Sequence, residues 1–135
     1  MRLEVTVPTI LVLDDAESRR ELLCRMLRET GYRAVPARSG VEAQWLHEHG
    51  LWKAADLLLT SFAPAELDGY HPGIPVGAVL DRMPILFMSE LERTESVRRG
   101  LIRPWAPYLR YPTPPGVLRR TVREALVGQR RRLLH

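Results

Sequence analysis

The fold is decided by the stretch ILVLDD at residues 10–15, in which four aliphatic residues run directly into two aspartates. An apolar run without polar alternation is typical of a strand that is buried on both faces, as the strands of parallel sheets are. Thr9 to Leu13 therefore predict a central strand, with Asp14 and Asp15 at its carboxyl end. Two adjacent carboxylates repel each other unless a cation or hydrogen bonds offset the repulsion.

Outward from this strand, apolar runs and helical patterns alternate along the chain. Further strands are predicted at residues 32–37, 56–60, 84–88 and 107–111. Helices are predicted over about 18–30, 40–49, 90–100 and 115–128. Prolines and glycines crowd residues 70–83 and predict a degenerate third helix there. Pro36 indicates that the second strand lies at a sheet edge. Strands that alternate with helices in this way predict an α/β fold with a doubly wound, five-stranded parallel sheet of the (βα)₅ type.

The first helix carries two further signals. Ser18 and Glu21 have the spacing of a capping box, which predicts that the helix starts at Ser18. Cys24 lies off the apolar stripe formed by Leu22, Leu23 and Met26, so we expect its thiol to be partly exposed.

The composition is that of one globular domain, with 135 residues of which 45% are apolar. We divide the chain into an N-terminal extension over residues 1–8, a folded domain over 9–128 and a basic tail over 129–135. The single cysteine excludes an internal disulfide and an all-cysteine metal site, and it fits a reducing cytoplasm. We find neither an apolar run of about 20 residues, as a membrane span requires, nor the pattern of a signal peptide.

The charge balance is basic, with 20 lysines and arginines against 16 acidic residues and a formal net charge of +4. Such a balance is compatible with nucleic-acid binding through the basic surface, which is an alternative function of a different class. The arginines are scattered, however, and neither a recognition helix nor an aromatic platform is evident. We therefore expect no nucleic-acid partner.

Polar residues also follow the other predicted strands. Ser61 follows the third strand, Ser89 follows the fourth, and Tyr111 ends the fifth. In a doubly wound sheet the working crevice lies beyond the carboxyl ends of the strands, so we expect these residues near Asp14 and Asp15. The two carboxylates supply the hard oxygen ligands that suit Mg²⁺, although one of them could instead favour the N-terminus of the following helix.

The order and spacing of these motifs resemble the receiver domain of bacterial two-component response regulators. The resemblance extends from about Thr9 to about Gly128 and implies a CheY-like, flavodoxin-like fold with the strand order 2-1-3-4-5. The matching pieces are ILVLDD (10–15), GYRAVPARSG (31–40), DLLLTSFAPAELDG (56–69), PILFMSE (84–90) and YLRYP (108–112).

Five positions match residues that have a role in that family. The resemblance implies that Asp14 and Asp15 correspond to the acidic pair that binds Mg²⁺, here as a weak site. It implies that Ser89 corresponds to the hydroxyl residue that contacts the phosphoryl group, and Tyr108 to an aromatic switch residue. The bond before Pro112 corresponds to one that is commonly cis, so we expect a cis peptide there.

Two positions depart from the family. Ser61 stands where the aspartate that accepts the phosphoryl group is expected, and Tyr111 stands where a lysine pairs with the phosphate. A serine hydroxyl is a weak nucleophile without a base, and tyrosine does not bring the positive charge of lysine. The sequence therefore predicts a stand-alone pseudo-receiver. We expect it to be no enzyme and to act in two-component signalling by protein–protein interaction, without aspartyl phosphorylation.

The resemblance also implies a docking surface. In the family this surface is formed by the fourth helix, the fifth strand and the fifth helix, which here draw on residues from about 91 to about 127. The partner would be a histidine kinase or another signalling protein. Trp105 lies between two prolines and is a candidate anchor on that face, the alternative being that it packs against the sheet.

Two further interpretations concern a phosphorylation site other than Ser61 and a metal site formed by histidines. A functional response regulator with displaced phosphorylation or Mg²⁺-dependent switching would have to use Asp56 or Asp68, neither of which is well placed at a strand end. The His47-Glu48-His49 segment contains metal-ligand residue types, but its spacing does not put both imidazoles on one helical face. We interpret that segment as a solvated helix end.

Overall fold

A computed structural model gives the fold of the chain. The residues that it describes are 7–39, 42, 45, 46, 49, 55–61 and 84–133. The strands are β1 (Thr9–Leu13), β2 (Arg33–Ala37), β3 (Leu57–Thr60), β4 (Ile85–Ser89) and β5 (Tyr108–Arg110). The helices are α1 (Glu17–Glu29), α2 (Arg93–Arg98) and α3 (Pro115–Leu133). By position, α2 and α3 are the fourth and fifth helices predicted from the sequence.

The five strands form one parallel sheet in the order β2-β1-β3-β4-β5. This confirms the predicted α/β fold and its 2-1-3-4-5 strand order. β2 lies at an edge of the sheet, where Pro36, which has no backbone N–H, is tolerated.

The core lies on both faces of the sheet, which explains why β1 has no polar alternation. Ile10 and Val12 belong to a buried cluster with residues of α1 and α3. Leu11 and Leu13 belong to a second cluster on the other face, with residues of β2 and β3. Complete burial of an aliphatic side chain of this size stabilises a fold by about 1.5–3 kcal/mol relative to exposure. β1 is therefore the centre of the core, and it fixes the position of the acidic pair behind it.

The start of α1 differs from the prediction. The helix begins at Glu17 with Ala16 as its N-cap residue, and no side chain caps it. The predicted capping box starting at Ser18 is therefore wrong. The turn into α1 is instead held from β1, because Asp14 Oδ1 accepts a hydrogen bond from the backbone N–H of Ala16 at 2.9 Å.

Cys24 is buried in the core, so the predicted partial exposure is also wrong. α1 contacts both the sheet and α3, and its buried stripe is consequently wider than the positions of its leucines indicate. This burial raises the pKa of the Cys24 thiol.

α3 is longer than predicted, because it continues through Gly128 to Leu133. The predicted helix end at Gly128 is wrong. A glycine inside a helix costs only about 1 kcal/mol relative to alanine, and the arginines that follow are good helix formers whose charge suits a helix C-terminus. Part of the predicted basic tail is thus a continuation of α3.

The remaining predicted helices fall largely outside the described residues. Glu42, Trp45 and Leu46 are helical, as predicted for the second helix. The degenerate third helix over residues 70–83 lies wholly outside them. In the part of the chain that is described, no helix combines the length and the apolar character needed to cross a membrane.

Candidate functional site

The site predicted from the sequence lies along one edge of the sheet. Asp14 and Asp15 follow β1, Ser61 follows β3, Ser89 ends β4 and Tyr111 follows β5. Parallel strands end at the same edge, and the strand order sets these residues side by side in that sequence. We call these five residues the carboxyl edge.

Asp14 is the most deeply buried residue of the carboxyl edge, with a side chain that is 1% exposed. Its Oδ1 accepts hydrogen bonds from the backbone N–H of Ala16 at 2.9 Å and from Arg19 Nη2 at 2.8 Å. Its Oδ2 accepts one from Arg19 Nε at 2.5 Å. The Asp14 carbonyl accepts a further bond from Arg20 Nη1 at 2.9 Å. A buried carboxylate needs both a counter-charge and hydrogen bonds, and Asp14 has both.

Arg19 provides the positive charge at the carboxyl edge. Its guanidinium holds Asp14 with two bonds in the fork geometry that arginine and carboxylate favour, and its side chain is 24% exposed. Arg19 Nη2 lies 3.9 Å from Oδ1 of Asp15, whose side chain is 72% exposed. The guanidinium carbon lies 5.7 Å from the ring centroid of Tyr111. Arg19 therefore links the end of β1 to the residue that follows β5.

The pKa of Arg19 is raised above its ordinary value, mainly by the hydrogen bond to Asp14. Burial acts in the opposite direction, and the negative charges of Asp14 and Asp15 raise the pKa further. Arginine is not deprotonated in proteins, so the guanidinium stays positively charged.

Sequence reasoning missed Arg19, although its position in α1 carries a signal. It lies in the first turn of the helix, where the helix dipole disfavours a positive charge. A cation in that turn indicates that an anion is nearby. That anion is Asp14, five residues earlier. Because it adjoins Asp15, it is already expected to need a compensating cation.

Ser61 and Ser89 are both half-buried. The backbone N–H of Ser61 donates to the carbonyl of Leu13 at 3.3 Å, which continues the pairing of β3 with β1 by one residue. Ser89 Oγ accepts a hydrogen bond from the backbone N–H of Leu91 at 3.1 Å. Within the described ranges, no side chain that could act as a base contacts the Ser61 hydroxyl.

Tyr108 points its hydroxyl toward the loop behind β4. The hydroxyl donates to the carbonyl of Leu91 and accepts from Ser96 Oγ at 3.3 Å. The ring lies 5.8 Å from that of Phe87, and the guanidinium carbon of Arg93 lies 5.5 Å from its centroid. Tyr108 thus connects β5 to the start of α2 through its hydroxyl and through its ring.

Tyr111 and Pro112 are joined by a cis peptide bond, which is the geometry that the family resemblance implies. The backbone N–H of Tyr111 donates to the carbonyl of Ser89 at 2.8 Å, so the pairing of β4 with β5 extends to the carboxyl edge. The Tyr111 ring packs against the core cluster beneath α1 and α3.

No family model matches the chain. In sequence it is similar to the transcriptional regulatory protein ZraR of Klebsiella oxytoca, with 31% identity over 121 residues that make up 90% of this chain and 27% of that protein. The chain thus spans about a quarter of the length of that relative. In structure it is similar to the chemotaxis protein CheY4 of Vibrio cholerae, with a TM-score of 0.68, 19% identity and coverage of 89% of this chain and 99% of that one. A response regulator receiver domain protein from Clostridium thermocellum gives a TM-score of 0.69 at 18% identity, with 96% and 100% covered.

The chain has the fold of CheY-like receiver domains. The receiver fold accounts for the five-stranded sheet and for the row of strand ends at the carboxyl edge. At these identities the structural likeness concerns the fold, so the chemistry of the site has to be judged from the residues of this chain.

The residues that this chain places at the carboxyl edge do not fit the Mg²⁺ that the resemblance implies. Mg²⁺ requires oxygen donors in near-octahedral geometry, usually carboxylates and several waters. Both carboxylate oxygens of Asp14 instead accept from N–H groups, and Ser61 offers a hydroxyl where a third carboxylate is expected. Among the described residues, no group of three or more histidine, cysteine, aspartate or glutamate residues could hold a metal ion. We therefore assign no metal-dependent step to these residues of the carboxyl edge.

The carboxylates considered for displaced phosphorylation do not join the described site. Asp56 precedes β3, and its Oδ2 accepts a hydrogen bond from the backbone N–H of Thr9 at 2.8 Å, at the start of β1. Asp56 therefore lies at the opposite edge of the sheet from Ser61. Asp68 lies outside the described residues.

The histidine segment is described only at His49, whose ring stacks on that of Trp45 with 3.9 Å between the centroids. His47 and Glu48 lie outside the described residues.

The surface formed by α2, β5 and α3, which we call the α2–β5–α3 face, carries an exposed tryptophan. Trp105 is 76% exposed, so it does not pack against the sheet. The loop that carries it is held in place, because Arg93 Nη1 donates to the carbonyl of Pro104 at 3.1 Å and to that of Ala106 at 2.7 Å. The guanidinium carbon of Arg103 lies 5.8 Å from the Trp105 ring centroid.

An open groove of about 260 Å³ lies beside this tryptophan, between the loop, β5 and α3. The side chains that line it are both aromatic and charged, and they include Arg93, Trp105, Tyr108, Thr121 and Glu124. Tyr108 is therefore shared between the interior network behind β4 and this surface groove.

Proposed function

We propose that the chain is a pseudo-receiver, a signalling domain of the two-component type that binds a protein partner without phosphorylation of an aspartate. The observation that carries this proposal is Ser61 at the end of β3, where the resemblance implies the acceptor aspartate. The fold supports the proposal that the chain is a receiver. Ser61 at the carboxyl edge supports the proposal that no aspartate is phosphorylated.

Aspartate and serine side chains react differently with a phosphoryl donor. A carboxylate can attack a phosphoryl donor directly and forms a labile acyl phosphate, whereas a serine hydroxyl needs a base to become a good nucleophile and forms an inert ester. Within the described residues, Ser61 has no base in contact with it. A serine in place of the aspartate therefore removes both the nucleophile and the labile product that makes a phosphorylation switch reversible.

The electrostatics of the carboxyl edge support the same conclusion. Tyr111 stands where a lysine would supply positive charge to a bound phosphoryl group. The guanidinium of Arg19 is close to Tyr111, but it already holds both oxygens of Asp14. A phosphoryl group at this edge would meet the negative charges of Asp14 and Asp15, and Arg19 is already paired with Asp14.

The α2–β5–α3 face supports a binding role. An exposed tryptophan on a loop that accepts two hydrogen bonds from Arg93 is the kind of residue that anchors protein interfaces. The adjoining groove offers aromatic and charged side chains to a partner. We infer that the partner is a histidine kinase or another signalling protein, and that it docks on this face.

Acetyl phosphate, a small phosphoryl donor, tests the proposal. The purified protein is incubated with acetyl phosphate and Mg²⁺, and its intact mass is measured before and after treatment with hydroxylamine, which cleaves acyl phosphates. We expect an unchanged mass. An adduct of about 80 Da, one phosphoryl group, that hydroxylamine removes would contradict the proposal.

The variant Ser61→Asp is the matched comparison, because it adds a carboxylate at the proposed acceptor position and changes nothing else. An adduct on Ser61→Asp but not on the wild-type protein would locate the loss of function at this residue. A labile adduct on the wild-type protein that maps to Asp68 would instead establish displaced phosphorylation.

A further inference from the structure

We propose that Arg19 is the built-in cation of the carboxyl edge and that it excludes divalent metal ions from Asp14 and Asp15. The inference deepens the proposed function at the same site, since a receiver that is not phosphorylated has no use for a metal-dependent reaction. It rests on the geometry of Arg19, which the family resemblance did not indicate.

The first argument is the occupancy of the Asp14 carboxylate. A carboxylate offers about four lone-pair directions. Three of them are taken by N–H donors, with Ala16 and Arg19 Nη2 on Oδ1 and Arg19 Nε on Oδ2. The side chain of Asp14 is 1% exposed, so the remaining direction does not open to solvent. A hydrated divalent ion, which keeps several waters, cannot reach Asp14 unless Arg19 moves away.

The second argument is charge. The guanidinium lies within contact of Asp14 and 3.9 Å from Asp15 Oδ1, so it is close to both carboxylates that a metal would need. A divalent ion between them would be repelled by a cation only a few ångströms away. Arginine cannot relieve this repulsion by losing a proton, because it stays charged in proteins.

The third argument is that Arg19 is fixed in place. It belongs to the first turn of α1, and its guanidinium lies 5.7 Å from the ring centroid of Tyr111, within the range of a cation–π contact. A lysine at position 111 would place a second positive charge beside Arg19. The tyrosine instead provides a ring face that a guanidinium favours. Arg19 and Tyr111 are thus consistent with each other, because the positive charge comes from α1 and not from the residue after β5.

The test uses Mn²⁺, whose unpaired electrons broaden the NMR signals of nearby amides. Each protein is titrated with MnCl₂ while the backbone amide signals of residues 14–16 and of Ser61 are followed. In the wild-type protein we expect no saturable broadening of these signals. In Arg19→Gln we expect saturable broadening and an affinity for Mn²⁺ that is at least about tenfold higher.

Arg20→Gln is the matched control. It removes the same charge from the next residue, whose Nη1 donates to the Asp14 carbonyl and not to the carboxylate. We expect Arg20→Gln to behave like the wild-type protein. An equal gain in affinity for both variants would overturn the inference, because it would show a general effect of charge and not displacement from the carboxylate.

Saturable broadening centred on residues 14–16 of the wild-type protein overturns the inference whether or not Arg19→Gln folds. If Arg19→Gln does not fold, Arg19→Lys takes its place, because it keeps the charge and loses the fork. Saturable broadening in Arg19→Lys supports the inference, and its absence overturns it. The two proposals fail separately. Metal binding without a phosphoryl adduct overturns only the role of Arg19, whereas a labile adduct without metal binding overturns only the proposed function.

Discussion

At the scale of single residues, the pair formed by Asp14 and Arg19 determines the character of the site. A carboxylate that is almost wholly buried depends on its cation, because an uncompensated charge inside a protein costs far more than the net gain from forming the pair. Asp14 also holds the N-cap residue of α1 and receives a bond from Arg20. The residue that resembles a metal ligand therefore serves here to fix the turn from β1 into α1.

Arg19→Gln should therefore destabilise the fold. Removing one member of a buried ion pair leaves the other charge without a partner. Because Arg19 is partly exposed, the expected loss in the free energy of unfolding is about 1–3 kcal/mol. Urea denaturation followed by circular dichroism measures the free energy of unfolding. Arg25→Gln is the control, since Arg25 is an exposed residue of the same helix and its loss should change the stability by less than about 0.5 kcal/mol. Equal stability of the two variants would show that Asp14 does not depend on Arg19.

At the scale of elements, two helices depart from the sequence expectation at one end each. α1 starts without a side-chain cap, because the hydrogen bond that Asp14 Oδ1 accepts from the backbone N–H of Ala16 holds the turn before the helix. α3 passes through Gly128, which ends no helix here although glycine commonly does. By contrast, Gly31 has a φ of 97° just behind α1 and does end that helix, because only glycine adopts this conformation readily.

Gly128→Ala should consequently stabilise the protein. Apart from its chain neighbours and the backbone of its own helix, a Cβ added at Gly128 would meet no atom within 4 Å, and alanine favours the helical conformation over glycine by about 0.5–1 kcal/mol. Gly31→Ala is the matched control, with equally open space but a positive φ, and should destabilise by roughly 1–2 kcal/mol. Thermal unfolding distinguishes these outcomes. A loss of stability in Gly128→Ala would mean that α3 does not continue through this residue.

The polar helix α2 yields a prediction about pH. Hydrogen bonds from Arg98 and then from Arg99 lower the pKa of Glu95 from 4.5 to about 2. A lowered pKa means that the ionised carboxylate stabilises the folded state above pH 4.5 and that this contribution disappears as the pH falls through about 2. Because the group is exposed, the contribution is small and is screened by salt.

An NMR titration of the Glu95 carboxyl carbon at low ionic strength tests this prediction. We expect a midpoint near 2 in the wild-type protein and a clearly higher midpoint in Arg98→Gln, which loses the largest contribution. A wild-type midpoint at the ordinary value of 4.5 would show that the contacts with Arg98 and Arg99 do not persist in solution.

At the scale of the whole molecule, the sheet could be predicted from the sequence because β1 and β3 are buried on both faces, as in the ILVL run before Asp14. The strand order followed from the family resemblance. The role of Arg19 could not be predicted, since it depends on the direction in which α1 leaves β1. The burial of Cys24 likewise depends on how α1 packs between the sheet and α3. Local sequence patterns predict helices and strands, whereas the contacts between helices and strands determine which charged side chains form pairs.

The measurement that tests the central claim most directly is the ¹H–¹⁵N correlation spectrum of the wild-type protein with and without acetyl phosphate and Mg²⁺. It reports on metal binding and on phosphoryl transfer at the same amides. If Ser61 leaves the site without an acceptor and Arg19 occupies Asp14, the signals of Asp14, Ser61, Ser89 and Tyr108 should stay unchanged. Shifts that begin at Asp14 and Ser61 and extend through Ser89 to Tyr108 would contradict the account, because they would show a receiver that is switched by phosphorylation.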